Sequence, residues 1–530
     1  MYHFLFLGGA LLFHFIPAWQ NSQVSKTDDM LSQIKMFQSV SESIEVWVRE
    51  YLPNLRTFLF LENMTEIPYK SLYDEMQNIH QNYENKVDVY DLNWPEDVSF
   101  YYSQFGVFVL RENQRYAKVS FDSLNNMERI EFYHTNQQVA KKFLFDDRGF
   151  ISSIEYFVED QLIKKEFYNE SFELQFCVDY QENQKVTLGV ENRQKYQRDT
   201  FETLEEFTKF VLELYLKDLS VKDVVVMAMD NQIVSLIDNI DSIQSKKVAS
   251  IFSHRKFDYS AANVVDWLSK MTLVITDNHQ MQKEIQSLNL DILVEVITPY
   301  DAVLKLGESQ RVAYYLIHFV YHGLPTEEIN PFLYQLLKWN QQYKWHFAID
   351  CLNPVEVDPL KERLKNVIAT FFEVDLSLVN ECIAQMDQEL ENALVDEKAD
   401  ETIYKKMIAI TKVLKQITIE RFNDKEELLA GLLHTRVLVD LAEQPDVLRQ
   451  ICGISTGIPM VNRVDTGYVI HQQNGWLIEN KDELEKVLLY YLTGLRHWNE
   501  SLVYSVAQLN RYTNGAIVNQ WKEWLEIGED

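Results

Sequence analysis

No glycine occurs between Gly9 and Gly106, and the 530-residue chain has only 15. Backbone amides approach a phosphate most readily where a residue lacks Cβ, so a Gly-rich phosphate-cradling turn after the first strand is excluded. Basic residues are also few: 50 Lys and Arg stand against 80 Asp and Glu, a formal net charge of −30. Nucleic-acid affinity is dominated by cationic contacts to phosphates, which excludes nucleic acid as the main partner. The four cysteines, Cys177, Cys351, Cys382 and Cys452, are far apart and form no C-x-x-C pair. That spacing argues against a disulfide framework or a structural zinc site and fits a reducing cytosol. No D-x-D carboxylate pair occurs anywhere. Long apolar runs are missing too. Tyr2–Gln20 carries no Asp, Glu, Lys or Arg, but its apolar part is short of the roughly 20 residues that cross a bilayer and has no basic residue before it. It reads as a buried strand, Leu11–Ile16, ending at Pro17-Ala18-Trp19, behind an upstream start or short extension. A membrane anchor over Tyr2–Ile16 is the competing reading.

The length suggests about three domains, and a hydrophobic share of 46% is enough to fill large cores. The first hundred residues alternate strand-like and helix-like runs: a helix over Asp28–Val40, a strand over Ile44–Val48, a helix over Tyr69–Asn82 and a strand over Val87–Leu92. Alternation of this kind predicts a parallel sheet faced by helices. From about Phe105 to Leu188 short alternating runs replace it, among them Tyr116–Phe121, Arg129–Tyr133, Lys141–Phe145, Ile151–Phe157, Leu162–Phe167 and Leu174–Tyr180. Turn residues such as Asp146-Asp147-Arg148-Gly149 separate them. This pattern predicts an inserted antiparallel meander. The α/β rhythm resumes at Phe201 and runs to Thr298. Pro299-Tyr300-Asp301 follows as a hinge, and a second α/β lobe begins at Ala313.

Two α/β lobes with terminal helices resemble the plan of GT-B glycosyltransferases. The second lobe carries the closest likeness: strand Arg436–Leu441, then Ile451-Cys452-Gly453-Ile454-Ser455-Thr456-Gly457-Ile458-Pro459, then Met460-Val461, the turn Gln473-Asn474-Gly475 and a helix from Asp482. The expected fold class is therefore α/β, a GT-B-like pair of Rossmann-like lobes. The first lobe spans 1–104 and 196–305, the inserted β-meander 105–195, the second lobe 306–495 and the terminal helices 496–530.

Shorter motifs narrow the resemblance. Phe15-Ile16-Pro17-Ala18-Trp19, the helix ending Ile34-Lys35-Met36-Phe37, Tyr51-Leu52-Pro53-Asn54-Leu55-Arg56, Asp91-Leu92-Asn93-Trp94-Pro95 and Phe145-Asp146-Asp147-Arg148-Gly149-Phe150 resemble the first Asp protein of the accessory Sec system. That resemblance implies a GT-B-like protein without demonstrated transferase chemistry, bound to the second and third Asp proteins. It also implies work with the accessory SecA motor in exporting serine-rich-repeat glycoprotein adhesins. The implied place is the cytoplasm, with peripheral association at the inner face of the membrane left open.

A working GT-B site must stabilise a leaving diphosphate. No Lys or Arg lies between Arg311 and Lys338, where Glu327 and Glu328 stand instead. The glutamate pair of the E-x7-E pattern falls on Gln444 and Cys452, although Glu443 and Asp446 are near enough for a shifted register to restore one acid. These absences predict a site with no catalytic residue, no metal and no cofactor. They leave a vestigial nucleotide loop at Gly453, Ser455, Thr456 and Gly457. The alternative is an active GT-B transferase using a nucleotide sugar on a Ser/Thr-rich adhesin, with Glu443 or Asp446 in service. His318 and His322 have the i, i+4 spacing of helical metal ligands, but end an apolar strand-like run and read as structural. Trp19, Trp94 and the meander tyrosines read as core before they read as stacking platforms. The acidic run 387–401 reads as a solvated helix face.

Overall fold

The computed structural model describes residues 11–19, 27–81, 85–237, 243–255, 257–387 and 401–527. They fall into two compact units, one mainly 37–275 and the other mainly 294–530, the second also taking in 26–36 and 276–287.

The first unit opens with β1 (Phe13–Ile16), β2 (Ile44–Val48) and β3 (Tyr69–Ser71). An antiparallel series follows: β4 (Val98–Ser103), β5 (Gly106–Arg111), β6 (Gln114–Phe121), β7 (Met127–Tyr133), β8 (Val139–Asp146), β9 (Phe150–Val158), β10 (Gln161–Tyr168), β11 (Leu174–Asp179), β12 (Lys185–Leu188) and β13 (Thr200–Phe201). The chain then returns through β14 (Val224–Ala228), β15 (Lys246–Ile251), β16 (Leu273–Thr276) and β17 (Leu293–Val296). Two sheets result. One runs in the order β17-β16-β15-β14-β1-β2-β3, and the other is a ten-stranded meander in which sequence neighbours lie side by side. Every residue of β1 is buried, as expected of a central strand covered on both faces.

The second unit holds one parallel sheet built from β18 (Leu316–Tyr321), β19 (His346–Cys351), β20 (Ile417–Glu420), β21 (Thr435–Asp440), β22 (Met460–Asn462) and β23 (Gly475–Leu477). Its order is β20-β19-β18-β21-β22-β23. One core fills the face with Leu333, Leu337, Leu360 and Leu488. A second core fills the other face around Leu428, Ile451 and Trp498.

Several expected elements differ locally. The helix expected over Tyr69–Asn82 is first a strand, because Tyr69–Ser71 pairs with Val46–Val48. Ser71 then caps a short helix, Leu72–Met76. The strand expected over Val87–Leu92 is a 3-10 turn, Val89–Asp91, closed by a reciprocal Asp88–Asp91 capping box. Helices Leu55–Leu61 and Pro354–Phe372 carried no expectation. The second starts from an Asn353 cap with Pro354 in its first turn. The meander runs begin and end within about two residues of where the alternation placed them. Trp19 packs on Phe58, and Trp94 sits among Phe100, Tyr116 and Phe132, so both serve cores. The acidic run 387–401 lies almost wholly outside the described residues, as do the first nine residues of the anchor reading. No helix among the described residues is long and apolar enough to cross a membrane.

The turn between β8 and β9 ties the meander to the rest of the first unit. Asp147 donates its backbone N–H to the Pro53 carbonyl at 2.8 Å, and Thr57 N–H donates to the Asp147 carboxylate at 2.7 Å. Arg148 forks to Asp74 at 2.8 and 2.9 Å and to Asp146 at 2.6 and 2.8 Å. At Gly149 φ is +88°, and a Cβ there would lie 1.6 Å from the Asn85 carbonyl oxygen. Only glycine fits that approach.

Candidate functional site

In an open parallel sheet, ligands bind outside the carboxyl ends of the strands where the strand order reverses. In the second unit that place lies between β18 and β21. Its residues come from the strand ends and the helices that follow them. His322 stands just past β18, Asp350 is near the end of β19, and Asp440 ends β21. Asp446 caps the helix Val447–Thr456 by accepting from the Arg449 N–H at 2.8 Å.

Arg449 is the cation that the helix start brings to this reversal point, and it is fully engaged. Its Nε and Nη2 donate to Asp350 at 2.9 and 3.2 Å, and its guanidinium lies 3.6 Å from Asp446. Asp350 has no exposed surface and also meets His318 Nε2 at 3.2 Å. Burial alone would raise the Asp350 carboxyl, but the His318 bond and the Arg449 charge hold it below its ordinary value. Burial would lower the Arg449 guanidinium, and the Asp446 and Asp350 carboxylates outweigh that and raise it. Alongside, His322 Nε2 meets Asp440 at 3.1 Å. Burial would lower the imidazole, yet the Asp440 bond and charge lift it above its usual value. Asp440 accepts in addition from the Asp446 N–H at 2.8 Å. Arg449, His322 and the Asp446 and Arg449 amides at this reversal point are held by carboxylates of the chain itself.

The first sheet repeats this arrangement at its own reversal point, between β14 and β1. Arg49, just past β2, is 2% exposed and forks onto Asp230, just past β14, with one arm at 3.0 Å. Its Nε also lies 3.8 Å from the Glu50 carboxylate.

The vestigial loop takes a different form from the one expected. Gly453, Ser455 and Thr456 lie inside the helix Val447–Thr456, and only Gly457 is outside it, as a left-handed cap at φ +71°. Ser455 Oγ donates to the Ile451 carbonyl at 2.8 Å and Thr456 Oγ1 to the Cys452 carbonyl at 2.8 Å. Their own carbonyls accept from Lys305 and Gly307 N–H groups at 3.1 and 2.9 Å. Gly453 admits Met460 against the helix: an added Cβ would lie 2.7 Å from its sulfur. The apolar spacing of Ile451, Ile454 and Ile458 served a helix and its cap, which a motif comparison reads equally well as a turn. Cys452, at the second glutamate position, is completely buried, and burial pushes its thiol up to about 12. Glu443 is exposed, and Asp446 is committed to its cap and to Arg449. His318 and His322 belong to a strand and the loop after it, each with its own aspartate. Arg449, Asp350 and Asp440 were missed; an Asp446/Arg449 pair three apart beside a helix start was the only signal available.

Beside the lock lies a cavity of about 920 Å³. Phe319, Tyr321, Phe332, Trp339 and Leu484 line it, together with the carboxylates of Glu327, Glu328, Glu443, Asp482 and Glu485 and only two Lys or Arg side chains, Arg463 and Lys481. Lys481 is already held by Glu328 at 2.8 Å.

The two parallel sheets, the inserted meander and a site at a strand reversal define the class: this is a GT-B glycosyltransferase fold. The chain is similar in fold to the pneumococcal O-GlcNAc transferase GtfA, solved with UDP and GlcNAc, at TM-score 0.67 and 11% identity over 98% of this chain and 100% of that one. Within that class the chain belongs to the family of the first Asp protein of the accessory Sec system, whose sequence model matches residues 9–528. It is thus a component of the accessory Sec export system. The corresponding first Asp protein of Streptococcus gordonii is 25% identical over 98% of this chain and its own full length. A chain of the glycosylation associate protein (Gap123) complex from Streptococcus agalactiae matches at TM-score 0.74 and 27% identity, over 96% of this chain and 99% of that one.

Proposed function

We propose that this chain serves accessory Sec export as a non-catalytic scaffold, a transferase fold whose nucleotide site is closed by its own side chains. One observation carries the reading: Arg449 is spent on Asp350 and Asp446 at the place where a diphosphate would need a free cation. The acid-rich cavity beside it and Cys452 at a glutamate position support the same conclusion. In this reading the partners are the second and third Asp proteins, in keeping with the Gap123 assembly from which a structural neighbour comes. The accessory SecA motor and the serine-rich-repeat cargo complete the set, and the work is done in the cytoplasm. The ten-stranded meander, with Tyr90, Tyr101, Tyr102 and Phe105 exposed near its β4 edge, offers partner-facing surface.

Calorimetric titration of the purified chain with UDP, UDP-GlcNAc and UDP-glucose tests this. No heat up to millimolar ligand is expected. Micromolar binding, about −8 kcal/mol, would overturn the non-catalytic reading and restore the active transferase. Co-purification with the second and third Asp proteins tests the other half, and failure to associate would remove the scaffold role.

A further inference from the structure

The cavity at the β18–β21 reversal combines two properties that a nucleotide pocket does not want. Its floor is a broad apolar surface that includes Phe332 and Leu484, and its rim is acidic. The helix Thr326–Tyr343 opens on the cavity with Glu327 and Glu328 in its first turn. That helix end, which elsewhere attracts anions, is already supplied with negative charge. Glu327 and Glu443 have no ion-pair partner among the described residues, so both carboxylates stand ready at the rim.

We propose that this groove docks a segment of a partner polypeptide that inserts a large apolar side chain between flanking Lys or Arg residues. Three features select that occupant. The apolar floor rewards burial of a bulky side chain by area. The excess of rim carboxylates repels phosphate and acidic segments and attracts cations. A space of about 920 Å³ matches a few side chains of an amphipathic segment rather than a whole domain. The inference deepens the scaffold reading by naming the chemistry of a partner, and rests on it only in taking the occupant to be a partner polypeptide.

Fluorescence polarisation of the full chain against a labelled amphipathic Leu/Lys peptide tests the proposal. A Ser/Lys peptide of equal length and charge controls for the net charge of −30. The Leu/Lys peptide is expected to bind saturably and the Ser/Lys peptide at least tenfold more weakly. The double change Glu327→Gln/Glu443→Gln should weaken Leu/Lys binding by about five- to tenfold, the worth of two charge contacts. Glu112→Gln/Glu159→Gln removes the same charge from exposed meander turns and should leave binding unchanged. Equal binding of the two peptides, or equal effects of the two double variants, would overturn the proposal. Heat with UDP-GlcNAc alongside rim-dependent peptide binding would overturn the scaffold reading and uphold the groove, so the two claims fail separately.

Discussion

Replacing Asp350 with Asn should cost the second unit far more than a single hydrogen bond. The Asp350 carboxylate has no exposed surface and accepts from two Arg449 nitrogens at 2.9 and 3.2 Å, with His318 at 3.2 Å on one of the same oxygens. An Asn at this place points an NH2 group at one of those donors and leaves the guanidinium, 6% exposed, with Asp446 alone at 3.6 Å. Breaking a buried pair by removing one partner typically costs about 3–5 kcal/mol, because a charge is left uncompensated. At roughly 2–4 °C per kcal/mol for a unit of this size, the melting transition should fall by about 6–20 °C. Calorimetric melting resolves it, provided the two units are treated as separate transitions. The decisive comparison is the double variant Asp350→Asn/Arg449→Met. If Arg449 is locked by Asp350, removing the stranded charge recovers part of the loss, a coupling of about 1–3 kcal/mol. Strict additivity of the two single changes would refute the lock.

Gly149→Ala should detach the β8–β9 turn, since the added methyl meets the Asn85 carbonyl at 1.6 Å in a left-handed backbone. Proteolysis between β8 and β9 under native conditions should then accelerate more than tenfold, and an unchanged rate would count against the tie. Asp147 is raised to about 7, first by burial and then by the neighbouring Asp146 charge. A carboxyl raised from about 3.9 favours folding while protonated and loses that contribution as pH climbs from about 4 to 7. Asp147→Asn should therefore add about 1–2 kcal/mol above pH 7 and little near pH 4, read as melting temperature against pH; a flat difference would refute the assignment. Cys452→Glu restores the second of the two glutamates of the transferase pattern, Gln444 still standing at the first, but buries a carboxylate inside a packed helix, at a cost of several kcal/mol. Loss of stability with no UDP-GlcNAc heat is expected, and gain of nucleotide binding would show that the lock is not what silences the site.

Six of the ten meander strands, β6 to β11, were legible, because period-two alternation and turns such as Asp146–Gly149 are local signals; β4 and β13 fall outside the expected 105–195 insert. The parallel strands β2, β16 and β21 were equally plain as apolar runs. The 69–82 segment was misread for a physical reason: whether Tyr69–Ser71 extends or coils is decided by the unpaired edge of β2, which no local pattern reveals. At the site, the missing groups could be seen and the substituted ones could not. A gap in Lys and Arg before Lys338 is visible in a string of letters. The meeting of Asp350 with Arg449, 99 positions apart, exists only once β19 and the helix Val447–Thr456 are brought to one sheet. The Gly453–Pro459 match was right about order and wrong about conformation, because an apolar helix ending in a left-handed Gly457 spells much the same sequence as a turn.

The insertion of ten strands between β3 and β14 has a consequence for how the chain is made. Phe13 of β1 pairs with Val224 of β14, so one edge of β1 has no neighbour until more than 200 further residues have left the ribosome. At about 5–20 residues per second that is a wait of roughly 10–40 s. During it the largely apolar strand Phe13-His14-Phe15-Ile16 has only β2 beside it. The meander can meanwhile fold from contacts between neighbours in sequence, and the sheet that needs distant partners closes last. Changes that slow the meander should then lower yield even where they leave the finished protein unaltered.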